Sequence, residues 1–222
     1  MSRAIFLDRD GVINKDPGGW TKYNYVTELK DFHFLPGSLK ALRLLRENGI
    51  RVIVVSNQAG VGKGYFTKER LAEVNQLMTD EVRASGGSIE EAFYCIHKDE
   101  DNCDCRKPKT GMFERAVEKY SIRPRDTFII GDSYVDIAAG KLMGLATVFV
   151  LSGKATPEDL RARGLKPDYV FKDLLEAVKW ILEKEKRRAE RAVRRKVAGK
   201  RERKGEPRPS DEQGGHGEEG AG

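Results

Sequence analysis

The feature that most constrains this fold is an alternation of short apolar runs with segments of helical period, from residue 4 to about residue 182. The run 51–56 is rich in β-branched residues and lacks polar alternation, which is typical of a strand buried on both faces. The segment 38–48 instead repeats leucine at helical spacing and ends at Gly49. Strands that alternate with helices in this way predict a parallel sheet with helices on both faces, a three-layer Rossmann-like α/β fold.

The predicted elements follow one another closely along the chain. Thr67 is placed to cap the second helix, and Gly86-Gly87 follows that helix as a stop signal. We predict strands at 4–7, 51–56, 92–96, 127–131, 146–151 and 169–171, and helices at 38–48, 67–84, 111–120, 135–143, 157–163 and from 174 onward.

Charge separates a folded domain, predicted at 1–182, from a charged and largely disordered tail at 183–222. The tail holds 13 Lys/Arg and 9 Asp/Glu, so it carries +4 of the net charge of +6 and leaves +2 on the domain. This small surplus argues against a basic nucleic-acid-binding face. The chain has no apolar run of 18 residues and carries charges throughout its first twenty, so neither a membrane span nor a signal peptide is expected. We predict a cytoplasmic protein without a membrane or nucleic-acid partner, acting as a monomer.

Polar motifs follow the predicted strands at the points where the strands end. The carboxyl ends of parallel strands meet at one edge of a sheet, where α/β proteins bind their ligands. The motifs are Asp8-Arg9-Asp10-Gly11-Val12, Ser56-Asn57-Gln58, Arg106-Lys107-Pro108 and Gly131-Asp132-Ser133, with Asp136 one helical turn further on.

These residue types suit phosphoryl transfer. Asp8 and Asp132 offer the hard oxygen ligands that Mg²⁺ prefers, and a carboxylate such as Asp8 can also attack phosphorus. Asp10 lies two residues on, on the same side of an extended chain, so it can give a proton to a leaving oxygen. Lys107 and the hydroxyl of Ser56 can hold the oxygens of the transferring group.

The four motifs, in this order, resemble those of the haloacid dehalogenase (HAD) superfamily of phosphatases over about residues 3–175. The resemblance implies an aspartyl-phosphate mechanism with Asp8 as nucleophile and Asp10 as general acid and base. It implies Mg²⁺ held by Asp8, the backbone carbonyl of Asp10 and Asp132, with Asp136 supporting the motif from behind.

All three cysteines lie with one histidine in an eleven-residue stretch, Cys95-x-His97-x5-Cys103-x-Cys105. Three thiolates and an imidazole at this spacing predict a closed structural Zn²⁺ site, in a loop at 95–107. The alternative is a set of reduced surface thiols in a polar loop.

A zinc loop directly before Arg106-Lys107 is similar to the capless HAD branch that includes heptose-bisphosphate and histidinol-phosphate phosphatases. This resemblance implies a fold without a large cap domain. The resemblance implies substrate contacts at the following positions: Asp16, Pro17, Gly18, Gly19, Ser56, Asn57, Gln58, Ala59, Arg106 and Lys107. The guanidinium of Arg106 suits a second phosphate, which favours removal of the 7-phosphate of a heptose 1,7-bisphosphate over histidinol phosphate.

Two other classes of function remain open on the sequence. A zinc-containing nucleic-acid-binding protein would account for the basic tail, although it has no use for three carboxylates at strand ends. A 3′-phosphatase acting on nucleic-acid ends would need a basic groove, which a domain of charge +2 hardly provides.

Overall fold

The computed structural model describes residues 3–203, which form a six-stranded sheet flanked by helices. The strands are β1 (Arg3–Leu7), β2 (Ile50–Asn57), β3 (Glu91–Cys95), β4 (Phe128–Gly131), β5 (Ala146–Val150) and β6 (Tyr169–Phe171). All neighbouring pairs are parallel, in the order β3-β2-β1-β4-β5-β6. The predicted three-layer α/β fold is confirmed.

The helices are α1 (Ser38–Glu47), α2 (Lys68–Ala84), α3 (Gly111–Tyr120), α4 (Tyr134–Leu142), α5 (Pro157–Arg161) and α6 (Leu174–Arg203). The first five connect consecutive strands, and α6 follows the last one. Short 3₁₀ turns at Leu29–Asp31 and Pro124–Asp126 escaped prediction. The hydroxyl of Thr67 accepts a hydrogen bond from the amide of Arg70, so the predicted cap is present. Every predicted strand and helix through β6 exists, with ends that differ by two residues at most.

The strands bury both faces, as their unbroken apolar runs predict. Side chains that alternate along β1 enter two separate clusters: Ile5 and Leu7 pack toward α1, α2 and the first turns of α6, whereas Phe6 packs toward α3 and α4. The ring of Phe6 meets Phe113 of α3 edge to face, with centroids 5.0 Å apart. A sheet fixed on both sides holds its carboxyl-end loops on a rigid frame.

The described part of the chain inserts loops, 3₁₀ turns and crossover helices between its strands, and no cap domain. The two longest connections are the loop after β1 and the loop at 96–110, which contains three of the four predicted zinc ligands. No helix within residues 3–203 is both long and apolar enough to cross a membrane.

The predicted domain boundary falls within α6. The described residues up to Leu182 form one compact unit, and the described residues from Glu183 onward belong to a separate one. Residues 183–203, which were predicted to belong to a largely disordered tail, instead continue α6 as a helix. Residues 204–222 lie outside the described residues, and their disorder stays a prediction.

Candidate active site and metal centres

A cavity of about 490 Å³ opens at the carboxyl edge of the sheet. The residues predicted to be catalytic or to bind Mg²⁺ line this cavity, although they come from four distant parts of the chain. They are Asp8, Asp10, Ser56, Lys107 and Asp132. The fold therefore brings the four motifs together, because each of them follows or lies beside a strand that ends at this edge.

Lys107 lies at the centre of a buried cluster of charges. Its Nζ is 3.1 Å from Asp8 Oδ1 and 2.5 Å from Asp136 Oδ1, and it also donates to the carbonyl of Val55 at 2.7 Å. Asn57 anchors the lysine through its backbone, since Asn57 Oδ1 accepts from the amide of Lys107 and Asn57 Nδ2 donates to its carbonyl, both at 3.0 Å. The end of β2 thus fixes a lysine that lies 50 residues later.

Burial shifts the pKa values of this cluster. Desolvation, only partly offset by Lys107, raises the pKa of Asp8 to about 6. Burial, together with the charges of Asp8 and Asp136, raises the pKa of Asp132 well above its usual value. The pKa of Lys107 is also raised: burial opposes its charge, but Asp136 and Asp8 outweigh that effect. The site therefore holds more negative charge than one ammonium compensates.

The excess of negative charge in this cluster would favour the binding of a divalent cation. The carboxylates of Asp8, Asp132 and Asp136 have oxygens within 4.8 Å of one another, and all three side chains are buried. Asp136 is held by other partners: one oxygen faces Lys107, and the other accepts from the amide of Ser133 at 3.2 Å and from its hydroxyl at 2.5 Å. Asp8 and Asp132 are therefore the freer ligands. Carboxylate oxygens in such a group are the donors that Mg²⁺ prefers.

Asp10 has an environment quite different from that of Asp8. Its Oδ1 accepts from Asn14 Nδ2 at 2.8 Å and its Oδ2 from Gln58 Nε2 at 2.7 Å. The guanidinium of Arg9, which is fully buried, donates to both oxygens at 3.0 to 3.3 Å. The charge of Asp10, together with its hydrogen bond, helps to raise the pKa of Arg9 despite burial. The carboxylate that was predicted to move protons is thus held by three side chains.

The predicted substrate contacts divide into residues that line a cavity and residues that lie behind it. Asp16, Pro17 and Asn57 line the cavity. Gly18 and Gly19 belong to the same loop, which is closed by a 2.8 Å hydrogen bond from the amide of Gly18 to Asp16 Oδ1. Gln58 and Ala59, in contrast, are fully buried and are not among the residues that line the cavity.

Arg106 lines a second cavity, of about 380 Å³, that shares Asn57, Lys107, Tyr134 and Val135 with the first. Its Nε donates to Asp99 in an ion pair, and its Nη1 is buried without a partner among the described residues. The guanidinium therefore lies beside the reacting centre, with part of its charge already compensated by an acid of the same loop.

The four predicted zinc ligands converge. Cys95 Sγ lies 3.6 Å from Cys103 Sγ and 3.7 Å from His97 Nδ1, while Cys105 Sγ lies 3.5 Å from Cys103 Sγ and 3.2 Å from His97 Nδ1. Tetrahedral bonds of the usual Zn–S and Zn–N lengths would separate such ligands by roughly 3.5–3.8 Å. The donor set and its spacing are compatible with zinc.

Two parts of the site are not apparent from the sequence. Arg9 is the first, since nothing in the sequence marks its charged side chain as buried. The second is the loop after β5: the amide of Lys154 donates to Asp132 Oδ2 at 3.1 Å, and Ser152 Oγ donates to the carbonyl of Gly11 at 2.7 Å. The convergence of strand ends could have identified this loop, since it follows a predicted strand.

Comparison with known proteins agrees with this geometry. A HAD-hydrolase-like family model matches residues 104–177. The chain is 35% identical over 188 residues to D-glycero-beta-D-manno-heptose-1,7-bisphosphate 7-phosphatase of Pasteurella multocida, covering 82% of this chain and 97% of the relative. Identity to the enzyme of that name from Neisseria meningitidis serogroup A is 36% over 184 residues, covering 82% and 95% of the two chains.

Solved structures similar to this fold include heptose 1,7-bisphosphate phosphatases. The crystal structure of D,D-heptose 1,7-bisphosphate phosphatase from B. bronchiseptica, complexed with magnesium and phosphate, matches with a TM-score of 0.76 and 30% identity, covering 82% of this chain and 99% of that one. The corresponding enzyme of Burkholderia thailandensis matches with a TM-score of 0.61 and 32% identity, over 81% and 98% of the two chains.

Proposed function

The chain belongs to the D-glycero-D-manno-heptose-1,7-bisphosphate 7-phosphatase family of HAD hydrolases, and we propose that it removes the 7-phosphate of a heptose 1,7-bisphosphate. It is a phosphoric monoester hydrolase. The observation that carries the proposal is the buried cluster of Asp8, Lys107 and Asp132, which line the cavity, with Asp136 bound to Lys107 behind them.

The first chemical step falls to Asp8 and Asp10. An oxygen of Asp8 attacks phosphorus, the bond from phosphorus to the sugar oxygen breaks, and Asp10 gives that oxygen a proton. Lys107 and Ser56 hold the non-bridging oxygens of the phosphoryl group, whose negative charge grows as the bonds rearrange. The product of this step is the free sugar 1-phosphate with an aspartyl-phosphate at Asp8.

The second step restores the enzyme. Asp10, now a carboxylate, takes a proton from water as the water oxygen attacks phosphorus, and the bond between phosphorus and Asp8 breaks. Inorganic phosphate leaves, and both carboxyl groups return to their starting protonation states. The hydrogen bonds to Asp10 from Arg9, Asn14 and Gln58 keep one orientation for both steps.

The metals have separate roles in this proposal. Mg²⁺, held by Asp8, Asp132 and the backbone carbonyl of Asp10, would neutralise phosphate charge and align it for attack. Zn²⁺, held by Cys95, His97, Cys103 and Cys105, would fix the loop that carries Arg106 and Lys107 and would take no part in the chemistry.

Histidinol phosphate is the second candidate substrate, because one observation favours it. Asp99 pairs with Arg106, so the guanidinium repels a cationic amine less than a free arginine would. Other acids of the zinc loop, Glu100, Asp101 and Asp104, could bind such an amine.

A cytoplasmic location, a monomeric state and the absence of a nucleic-acid partner stay predictions from the sequence.

The test compares kcat/KM for heptose 1,7-bisphosphate, histidinol phosphate and a sugar monophosphate, in the native chain and in Arg106→Ala. We expect the bisphosphate to be the best substrate and Arg106→Ala to reduce its advantage over the monophosphate. A higher kcat/KM for histidinol phosphate would contradict the substrate assignment, and a bisphosphate preference that survives Arg106→Ala would contradict the role of Arg106. Absence of phosphate release from every ester, with Mg²⁺ present, would reject a phosphatase altogether.

A further inference from the structure

Gln58 is a buried residue that touches two catalytic side chains and lies outside the cavity lining. None of its surface is exposed to solvent. Its backbone is fixed at the end of β2, where its amide donates to the carbonyl of Cys95 at 2.6 Å. A side chain in this position cannot contact a substrate in the cavity, so its effect on the reaction must pass through its neighbours.

The two hydrogens of the Gln58 amide have separate acceptors. One goes to Asp10 Oδ2 at 2.7 Å and the other to Ser56 Oγ at 3.2 Å. Because this bond occupies a lone pair of the Ser56 oxygen, the hydroxyl keeps its own hydrogen for the phosphoryl oxygen that Ser56 is proposed to hold. Gln58 thus links the proposed general acid and base, Asp10, to the hydroxyl of Ser56, which lines the same cavity as Asp8.

This arrangement costs stability. The Oε1 atom of Gln58 is buried and has no hydrogen-bond partner among the described residues. A buried acceptor without a partner is unfavourable, because it has lost its hydration and gained nothing in exchange. Asp10 already has Arg9 and Asn14 as donors, so an apolar side chain at position 58 would leave neither oxygen of Asp10 without a partner. Residues that cost stability beside a reacting centre are commonly kept for activity.

We infer that Gln58 is a positioning residue that, anchored on Ser56, holds Asp10 in the orientation needed to take a proton from the attacking water. The inference rests on the proposed roles of Asp8 and Asp10. This role differs from the substrate contact expected for Gln58 from the sequence. It also predicts different effects on the two chemical steps. Hydrolysis of the aspartyl-phosphate needs a base, whereas its formation from an ester with a good leaving group needs no acid.

The experiment uses p-nitrophenyl phosphate, whose leaving group departs without a proton, and the variant Gln58→Leu in the full chain with Mg²⁺ present. Rapid mixing measures the burst of p-nitrophenolate, and mass spectrometry after an acid quench measures phosphate on Asp8. We expect the burst rate to stay within about threefold of the native value and hydrolysis to slow by about tenfold or more, a part of the roughly 10²–10⁴ that full acid–base catalysis supplies. Phosphorylated Asp8 should then accumulate.

Stability supplies the second readout. Removal of the unpartnered Oε1 should leave the melting temperature of Gln58→Leu unchanged or higher, so activity and stability should move in opposite directions. The matched control is Gln76→Leu on the exposed face of α2, which should change neither step. If Gln58→Leu does not fold, Gln58→Met, with an unbranched side chain of similar length, replaces it in the same comparison.

Different outcomes test the role of Gln58 and the proposed phosphatase function. Equal slowing of both steps, or native kinetics in a folded variant, would overturn the positioning role while leaving the phosphatase intact. A large fall in melting temperature with proportional loss of active protein would show a structural role only, which also overturns it. If the native chain forms no phosphorylated Asp8 and releases no phosphate, the proposed function itself fails.

Discussion

At the scale of single residues, the site separates two carboxylates by their surroundings. Asp8 is buried among other acids beside a single lysine, and burial raises its pKa to about 6, whereas Asp10 accepts hydrogen bonds from three side chains. Different environments for two neighbouring carboxylates are the usual basis for giving them different chemical tasks. With Mg²⁺ bound, the charge of the metal would offset the acids around Asp8 and favour the ionised carboxylate that attacks phosphorus, while the donors around Asp10 hold one orientation for proton transfer.

We predict that Asp8→Asn abolishes turnover, with a loss in kcat of at least ~10³-fold, because an amide cannot attack phosphorus. The fold should persist, since Lys107 keeps Asp136 and the carbonyl of Val55 as partners. Phosphate release and thermal melting measure the two effects, and Asp80→Asn on the exposed face of α2 is the control. Retention of a tenth of the native rate would exclude the covalent mechanism.

Gly11 permits a close approach that no other residue type can make. Its φ is +78°, and a Cβ placed there would lie 2.4 Å from Asp132 Oδ2. We predict that Gly11→Ala costs about 1–2 kcal/mol through the left-handed backbone, and also reduces kcat because it displaces Asp132. Thermal melting and the Mg²⁺ concentration for half-maximal activity measure these effects.

Gly49→Ala is the matched control for Gly11→Ala. Gly49 has a φ of +65°, and no atom lies within 4 Å of the position that a Cβ would take, so it should show the same kind of strain with unchanged Mg²⁺ dependence. Equal Mg²⁺ dependence in the two variants would show that Asp132 tolerates the added methyl group.

The sequence predicts which residues gather at the site better than it predicts which way they point. Motif residues such as Asp132 and Lys107 could be found because strand ends converge at one edge of a parallel sheet. The burial of Gln58 and Arg9 could not, since side-chain direction in a loop depends on contacts with distant segments, such as that of Arg9 with the ring of Tyr94. The roles assigned to the individual residues stay predictions.

At the scale of elements, the boundaries of strands and helices follow from local sequence signals, whereas the conformation of the loop at 96–110 does not. Residues 96–110 form neither helix nor strand, and the loop is tied to α3 by a bond from the amide of Gly111 to the carbonyl of Asp104 at 3.0 Å. Of the four predicted zinc ligands, only Cys95 and Cys105 are buried against the core. The cysteine spacing could predict that the ligands meet, but it could not predict the pairing of Arg106 with Asp99.

We predict one zinc ion per chain by elemental analysis, lost in the double variant Cys103→Ser/Cys105→Ser. Loss of the ion should disorder residues 95–108, because few apolar contacts remain to hold them, and should reduce catalysis by releasing Arg106 and Lys107. Limited proteolysis of the loop and kcat/KM measure the two effects.

Removal of Mg²⁺ alone is the comparison experiment for zinc loss, since activity should vanish without Mg²⁺ and return when it is added, at constant zinc content. Protein purified without chelators and found free of zinc would contradict the prediction.

At the scale of the whole molecule, charge and packing are unevenly distributed along the chain. The buried residues of α6 end at Ile181, and the described residues from Glu183 to Arg191 contribute none to the core. Residues 184–222 nevertheless hold 13 of the 41 Lys/Arg. A segment with this charge and without buried side chains in its described part is expected to affect association with anionic partners more than folding.

We predict that a chain ending after Glu183 keeps kcat/KM within about twofold of the full chain, since the removed residues contain no motif and, in their described part, no core side chain. Its melting temperature should likewise change little, because the buried residues of α6 up to Ile181 remain. Steady-state phosphate release and thermal melting measure both, and a shift assay with an oligonucleotide at two salt concentrations accompanies them. A large fall in activity would mean that the tail reaches the active site. A salt-dependent shift that persists in the shortened chain would instead favour a nucleic-acid-binding surface on the domain itself, which a domain charge of only +2 argues against.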